Sequence, residues 1–197
     1  MKGYPVIGAA LSALLAVGCA SVPVHYYSLV ASPSLPAGTT AYCCRIVIAS
    51  IKLPPAADRP EIVVRESDNQ LLVLGNDLWI APLRDEMRTA LTNEIRRNLA
   101  RLDKGSQDAP STIHVDVERF ESQPSKQALI QIGWRVSVPG QPRELTTSCE
   151  TVSQIAVGDG VPALVQGYQQ AVSAIGAQIA AGISNLRTSG ENGCGPA

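Results

Sequence analysis

The sequence predicts an α+β domain: a mixed sheet of about six strands with two long helices packed on one face, in the order βββαβββα. Three observations carry this. Short β-branched runs come in two sets of three, and each set is followed by a long segment of helical periodicity. The second set of strands alternates apolar and polar residues, as half-buried strands do. Composition agrees, with 45% hydrophobic and 17% charged residues, ordinary proportions for a packed chain.

The first run is "RIVIASI" (45–51), short, apolar and β-branched, as in a strand buried on both faces. "EIVVRESDNQLLVL" (61–74) holds two apolar runs around the polar "ESDNQ" and reads as a hairpin. Residues 81–102 read as a helix. Pro82 suits its first turn, Asp85 and Glu86 lie near the positive end of its dipole, and Leu83, Met87, Leu91, Ile95 and Leu99 recur on one stripe. Arg84, Arg88, Arg96, Arg97 and Arg101 fall on the solvated side. Trp79, just before the helix, reads as its hydrophobic staple against Leu83.

In the second half, Ile113, Val115 and Val117 alternate with His114, Asp116 and Glu118. Ile130, Ile132, Trp134, Val136 and Val138 alternate with polar neighbours. The turn "PGQP" (139–142) leads to "RELTTSCETV", where Cys149 shares the inward face of Leu145. A last helix starts after Asp159, a candidate N-cap, with Val161, Val165, Tyr168, Val172, Ile175, Ile179 and Ile183 as its core stripe. No charged residue lies between Asp159 and Arg187. The face opposite the core stripe carries Gln166, Gln170, Ser173, Ala174, Ala177 and Ala181, all uncharged and mostly small. Charge depletion of this kind marks interface centres. We therefore expect Gln170, Ser173, Ala174, Ala177 and Ala181 to meet a partner or a second copy in a homo-oligomer.

The amino terminus is a separate matter. Lys2 precedes an apolar run from Val6 to Val17, broken by Gly8 and Ser12, which is short of the roughly 20 residues that span a bilayer. A charged start, a short apolar run and small residues make 1–18 a secretory signal peptide. Its end, Leu15-Ala16-Val17-Gly18-Cys19, resembles the lipobox of bacterial lipoproteins, with Ala16 where Leu is usual. The resemblance implies cleavage before Cys19, acylation of the Cys19 thiol by palmitate-type chains, and, with Ala20 rather than Asp beside it, retention at the periplasmic face of the outer membrane. Residues 19–44 then hold the lipidated Cys, a Tyr-Tyr segment and a Pro/Ser-rich linker. A single periplasmic domain occupies 45–190, and 191–197 form a tail.

Beyond Cys19 there are Cys43, Cys44, Cys149 and Cys194. In an oxidising compartment they are possible disulfides. Closing Cys43 onto its neighbour Cys44 is strained, leaving the two pairings of Cys43 and Cys44 with Cys149 and Cys194; the alternative is that some of these thiols are simply small buried residues. No C-x-x-C occurs and His25 and His114 are the only histidines, so no metal site is expected. Asp116 and Glu118 on one strand face read as solvated, "GDG" (158–160) lacks the rest of a phosphate loop, and no nucleophile triad is visible. No catalytic residue and no cofactor are expected. The net charge of −1 and the absence of a basic block leave no footprint for nucleic acid.

Two stretches carry a further likeness: "HYYSLV" (25–30), soon after the lipobox, and "GNDLWIAPLRDEMRTAL" (75–91). With Tyr26, Tyr27, Leu78, Trp79, Pro82 and Leu83 as motif positions and the strand and helix order above, the chain resembles the PqiC family of outer-membrane lipoproteins, the ABC-type transport auxiliary lipoproteins. The resemblance implies a non-catalytic docking component of an MCE-type lipid transport system that supports envelope integrity. Its partners would be the MCE-domain tunnel protein and that protein's inner-membrane partner, with the outer membrane held through acyl chains. The alternatives are a periplasmic module that binds lipid or peptidoglycan by itself, or an assembly factor for an outer-membrane protein. A deep apolar cavity would favour the binding module; a closed core with an uncharged exposed face would favour docking.

Overall fold

The computed structural model describes residues 22–31, 44–102, 107–139, 144–190 and 193–194. The leader, Cys19 and Cys43 lie outside the described residues, as does the side chain of Cys44. The elements are β1 (His25–Tyr27), β2 (Cys44–Lys52), β3 (Glu61–Ser67), β4 (Gln70–Trp79), α1 (Leu83–Leu102), β5 (Gln107–Gln123), β6 (Gln127–Val138), β7 (Leu145–Ala156) and α2 (Gly160–Thr188). The class is α+β, with one strand more than expected at the amino-terminal end.

The strands form two sheets rather than one. One has the order β2-β5-β6-β7, the other β1-β4-β3. In the first, β2 runs parallel to β5 because β3, β4 and α1 intervene as a crossover, whereas β5, β6 and β7 are a plain antiparallel meander. An irregularity in β5 accompanies the split. The strand's register slips between Val117 and Arg119, and a bulge of this kind bends a strand and raises its twist. Beyond the bulge β3 meets β5 through side chains, with Arg65 at 3.6 Å from Glu121, and not through a ladder.

The four-stranded sheet has a dry face and a wet face. Ile113, Val115 and Val117 of β5 and Ile130, Ile132, Trp134, Val136 and Val138 of β6 are all buried. Both helices pack over this face, α1 against β2 and α2 against β5, β6 and β7, and they also pack on each other. The α1 stripe Leu83, Met87, Leu91, Ile95 and Leu99 is buried throughout, as are Val165, Tyr168, Val172, Ile175, Ile179 and Ile183 of α2. Pro82 caps α1 through its carbonyl, which accepts from Asp85 N at 2.8 Å and Glu86 N at 3.1 Å. Asp159 takes the N-cap conformation of α2 but makes no side-chain cap bond, so its contribution is the carboxylate charge beside the dipole.

Interior glycines in α2 look wasteful, since each costs a helix about 1 kcal/mol against Ala. They are sites of close approach. A Cβ on Gly176 would stand 2.5 Å from Glu94 Cβ on α1, and one on Gly182 would stand 2.7 Å from the Trp134 ring on β6.

Candidate functional site

The segment that follows the expected anchor is clamped to both helices. β1 adds to β4 in parallel, pairing His25 with Asp77, Tyr26 with Leu78 and Tyr27 with Trp79. Successive strand residues point to opposite faces, so Tyr27 packs against the core while Tyr26 is 60% exposed on the outer side with half-buried Leu78. Asp77 Oδ1 accepts from the Tyr27 hydroxyl at 3.1 Å and lies 3.3 Å from His25 Nδ1. Burial, and then the bond to the Asp77 carboxylate, raise the Tyr27 pKa above the usual phenol value. Past β1, the Glu86 carboxylate accepts from Ser28 Oγ at 2.6 Å and from Leu29 N at 2.8 Å, and Gln169 of α2 donates to the Ser28 carbonyl at 3.0 Å. Leu29, only 1% exposed, fills the core beside them.

Trp79 is the last residue of β4, is buried, and shares the floor of one cleft with Leu83. Its indole stands edge-on to Phe120 at 6.2 Å and to Tyr168 at 6.3 Å, while Phe120 and Tyr168 stack at 4.2 Å. The cluster joins the small sheet to β5 and α2. Tyr168 is sealed in, its hydroxyl 2.7 Å from Ser122 Oγ, and burial pushes its pKa far above the usual range. An open cleft of about 200 Å³ lies over this cluster, floored by Ile62, Trp79, Leu83 and Phe120 and rimmed by charged residues such as Arg65 and Glu118. Of the family positions, then, Tyr27, Trp79 and Leu83 build the core, Pro82 caps a helix, and Tyr26 with Leu78 faces outward.

The α2 face divides. Gln166, Gln170 and Ala174 are exposed, and Ala177 and Ala181 are half-buried. Ser173 does not belong to a free surface, because its hydroxyl donates to Glu94 Oε2 of α1 at 3.0 Å. Glu94 is itself buried and also pairs with Arg97 at 3.0 Å.

The cysteines pair otherwise than expected. Cys149 bonds Cys194, with Cα atoms 5.7 Å apart, so neither is joined to Cys43 or Cys44. Cys149 does point inward, and the bond ties the segment after α2 to β7. The polar face of β5 is a mesh of surface contacts: His114 Nδ1 lies 2.8 Å from Ser50 Oγ, Lys52 pairs with Asp116 at 3.4 Å, and Gln131 donates to Glu118 at 2.8 Å and to Glu150 at 2.7 Å. His25 and His114 stand on different sheets, and no cluster of three metal-ligating side chains occurs among the described residues.

Sequence reasoning missed Glu86 and Glu94 as buried acceptors. The signal was present, since both fall at three- and four-residue spacing among Leu83, Ala90, Leu91 and Asn98, on the packed side of α1. It also missed Arg88, which donates to the Ile48 carbonyl on β2 instead of lying free in solvent.

Comparison with known proteins agrees with this architecture. No curated protein matches the sequence. A crystal structure of an uncharacterized protein superposes with a TM-score of 0.61 at 21% identity, over 82% of this chain and 99% of that one. A protein from Xanthomonas campestris does so with a TM-score of 0.57 at 16% identity, over 85% of this chain and all (100%) of the other. At these identities the likeness speaks for the fold alone. The sequence model of the ABC-type transport auxiliary lipoprotein component matches residues 27–180, which take in every element from Tyr27 of β1 to most of α2, and the chain belongs to that family.

Proposed function

We propose that this protein is a non-catalytic docking component of an MCE-type lipid transport system, held at the periplasmic face of the outer membrane by acyl chains on Cys19. The observation that carries the reading is the family match, which takes up the chain at Tyr27, just after Cys19. Two features of the monomer support it. The cleft over Trp79 and Phe120, at about 200 Å³, is open and smaller than the ~300–1,000 Å³ pockets that enclose small ligands. Leu91, Ile95, Tyr168 and Ile175 are fully buried in the core. Lipid cargo would therefore travel through the partner and not through this subunit. The uncharged strip Gln166, Gln170 and Ala174 on α2 offers a surface for the MCE-domain protein or for a second copy.

Two measurements test the reading. Metabolic labelling with a palmitate analogue should mark wild type and not Cys19→Ser; equal labelling of both would end the anchor proposal. The wild-type lipoprotein should co-purify with an MCE-domain protein made in the same cell, and its repeated absence from the complex would end the docking proposal.

A further inference from the structure

The exposed apolar side chains of the small sheet are not scattered. Val22 is 66% exposed, Val24 46% and Tyr26 60%; on β4, Leu71 is 47% exposed, Leu72 45% and Val73 38%. Strand pairing relates several of these, across a register shift between Glu61 and Ile62. Buried Ile62 and Val64 of β3 alternate with Glu61, Val63 and Arg65, whose partners on β4 are Leu78, Val73 and Leu71. Leu78 is also the partner of Tyr26 on β1, and Val24 lies two positions before Tyr26. Val24, Tyr26 and Val73 therefore look outward, and Leu71 lies near them at the mouth of the cleft beside Arg65.

Strand direction brings the anchor to the same place. β1 is parallel to β4, and β4 sets out from the hairpin turn at Gln70. The chain ahead of His25 therefore arrives from the hairpin side. Cys19 is three residues ahead of Val22, a span of at most about 10 Å even when fully extended. With acyl chains on Cys19, the lipid surface lies within that reach of Val22, next to an apolar ledge that nothing else in the chain covers among the described residues.

We propose that Val22, Val24 and Tyr26, with Leu71, Leu72 and Val73 of the β3–β4 hairpin, rest on the lipid surface that holds Cys19. The proposal depends on the anchor reading above and adds an orientation to it: the small sheet lies against the bilayer, and the helices and the four-stranded sheet stand away from it. Exposed Glu66 and Asp68 at the turn would be repelled by an anionic bilayer, so the contact is apolar and suits a zwitterionic surface. The aromatic ring of Tyr26 belongs at the headgroup level, where amphipathic rings settle.

The test uses the acylated full-length protein and its Tyr26→Trp variant in vesicles of phosphatidylethanolamine and phosphatidylcholine, with part of the latter brominated in its acyl chains. The native Trp79 and Trp134 are buried, and wild type in the same vesicles supplies their background. Flotation reports the anchor, and bromine quenching reports the ledge. We expect both proteins to float and the added emission of Tyr26→Trp to fall by about half, as for a ring lying ~5–10 Å into the interface. We also expect 1 M salt to leave that quenching in place. Adding Val24→Asp and Val73→Asp, both at exposed positions, should abolish the quenching while flotation and the melting temperature persist. Flotation without quenching would overturn the ledge and leave the anchor standing, assigning the apolar face to a protein. Loss of flotation in wild type would overturn both.

Discussion

Glu86 on α1 holds the chain just after β1 at Leu29: the carboxylate takes the Leu29 backbone N–H at 2.8 Å and the Ser28 hydroxyl at 2.6 Å. The pair is buried, so the bond fixes where the segment after β1 sits on the domain. Hydrogen bonds to a charged acceptor contribute about 1.5–3 kcal/mol each way of counting. Glu86→Ala should therefore lower unfolding stability by that order, with Glu86→Gln intermediate. Amide exchange of Leu29 and Val30 should accelerate more than exchange of the β6 core. Unchanged protection at Leu29 would show that strand pairing with β4 holds the segment without the carboxylate.

Elements whose burial and period coincide were legible. The stripe Leu83–Met87–Leu91–Ile95–Leu99 announces α1 because the same residues that recur every four positions are the buried ones. β6 alternates for the same reason. β1 was not legible as a strand, since three residues after Pro23 carry no period and their partner is in β4, remote in sequence. The division into two sheets was not legible either, and the slip of register in β5 between Val117 and Arg119 has no residue signature. The Cys149–Cys194 bond was missed because pairing depends on distance in space, and the adjacency of Cys43 and Cys44 drew both remaining cysteines to them on paper. Glu86 was read by its charge, as a dipole partner, when its position on α1 placed it against the Ser28–Leu29 backbone.

The helix–helix contact at Gly176 yields a second prediction. An added Cβ meets Glu94 Cβ at 2.5 Å and the Glu94 and Ile95 backbone at 3.4 Å, so α1 must move. Gly176→Ala should cost about 1–3 kcal/mol despite its better helix propensity. Gly75, with nothing within 4 Å of such a Cβ, supplies the control; Gly75→Ala should change stability by no more than about 0.5 kcal/mol. Equal melting temperatures for the two variants would mean that the helices separate at no cost.

The disulfide closes a long loop, with a sequence separation of 45. Cys194→Ser should lower stability by about 2–4 kcal/mol, and reduction of wild type should do the same. Non-reducing peptide maps of the native protein should show one fragment joining the Cys149 and Cys194 peptides. A crosslink from Cys43 or Cys44 to Cys149 would contradict the structure.

Alkaline pH provides a fourth test. Burial raises the pKa of Tyr168 and, together with Asp77, that of Tyr27. Folding favours the neutral phenol, so this stabilisation is complete below the unfolded phenol value of about 10 and is lost as pH rises through the folded values. The melting temperature should fall between about pH 9 and 11. Tyr168→Phe should start lower, having lost the Ser122 bond, yet fall less steeply over that interval. Parallel slopes would place the titration on other groups.

The last prediction concerns the outer side of α2. Gln166, Gln170 and Ala174 are exposed on a helix with no charge between Asp159 and Arg187, whereas α1 carries Arg84, Arg96 and Arg101 on its exposed side. An exposed helix usually gains solubility from Lys and Glu in these positions, so the contrast calls for a cause. Small side chains at Ala174, Ala177 and Ala181 let another backbone approach, and an interface core tolerates no unpaired charge. Ala174→Glu and Gln170→Glu lie off the core stripe and, unlike Ser173, bind nothing in α1, so the monomer should stay folded with a melting temperature close to wild type. Under the docking proposal, self-association, read as mass by light scattering after size exclusion, should be lost, together with capture of an MCE-domain protein. Retention of both assemblies by the double variant would return this face of α2 to solvent.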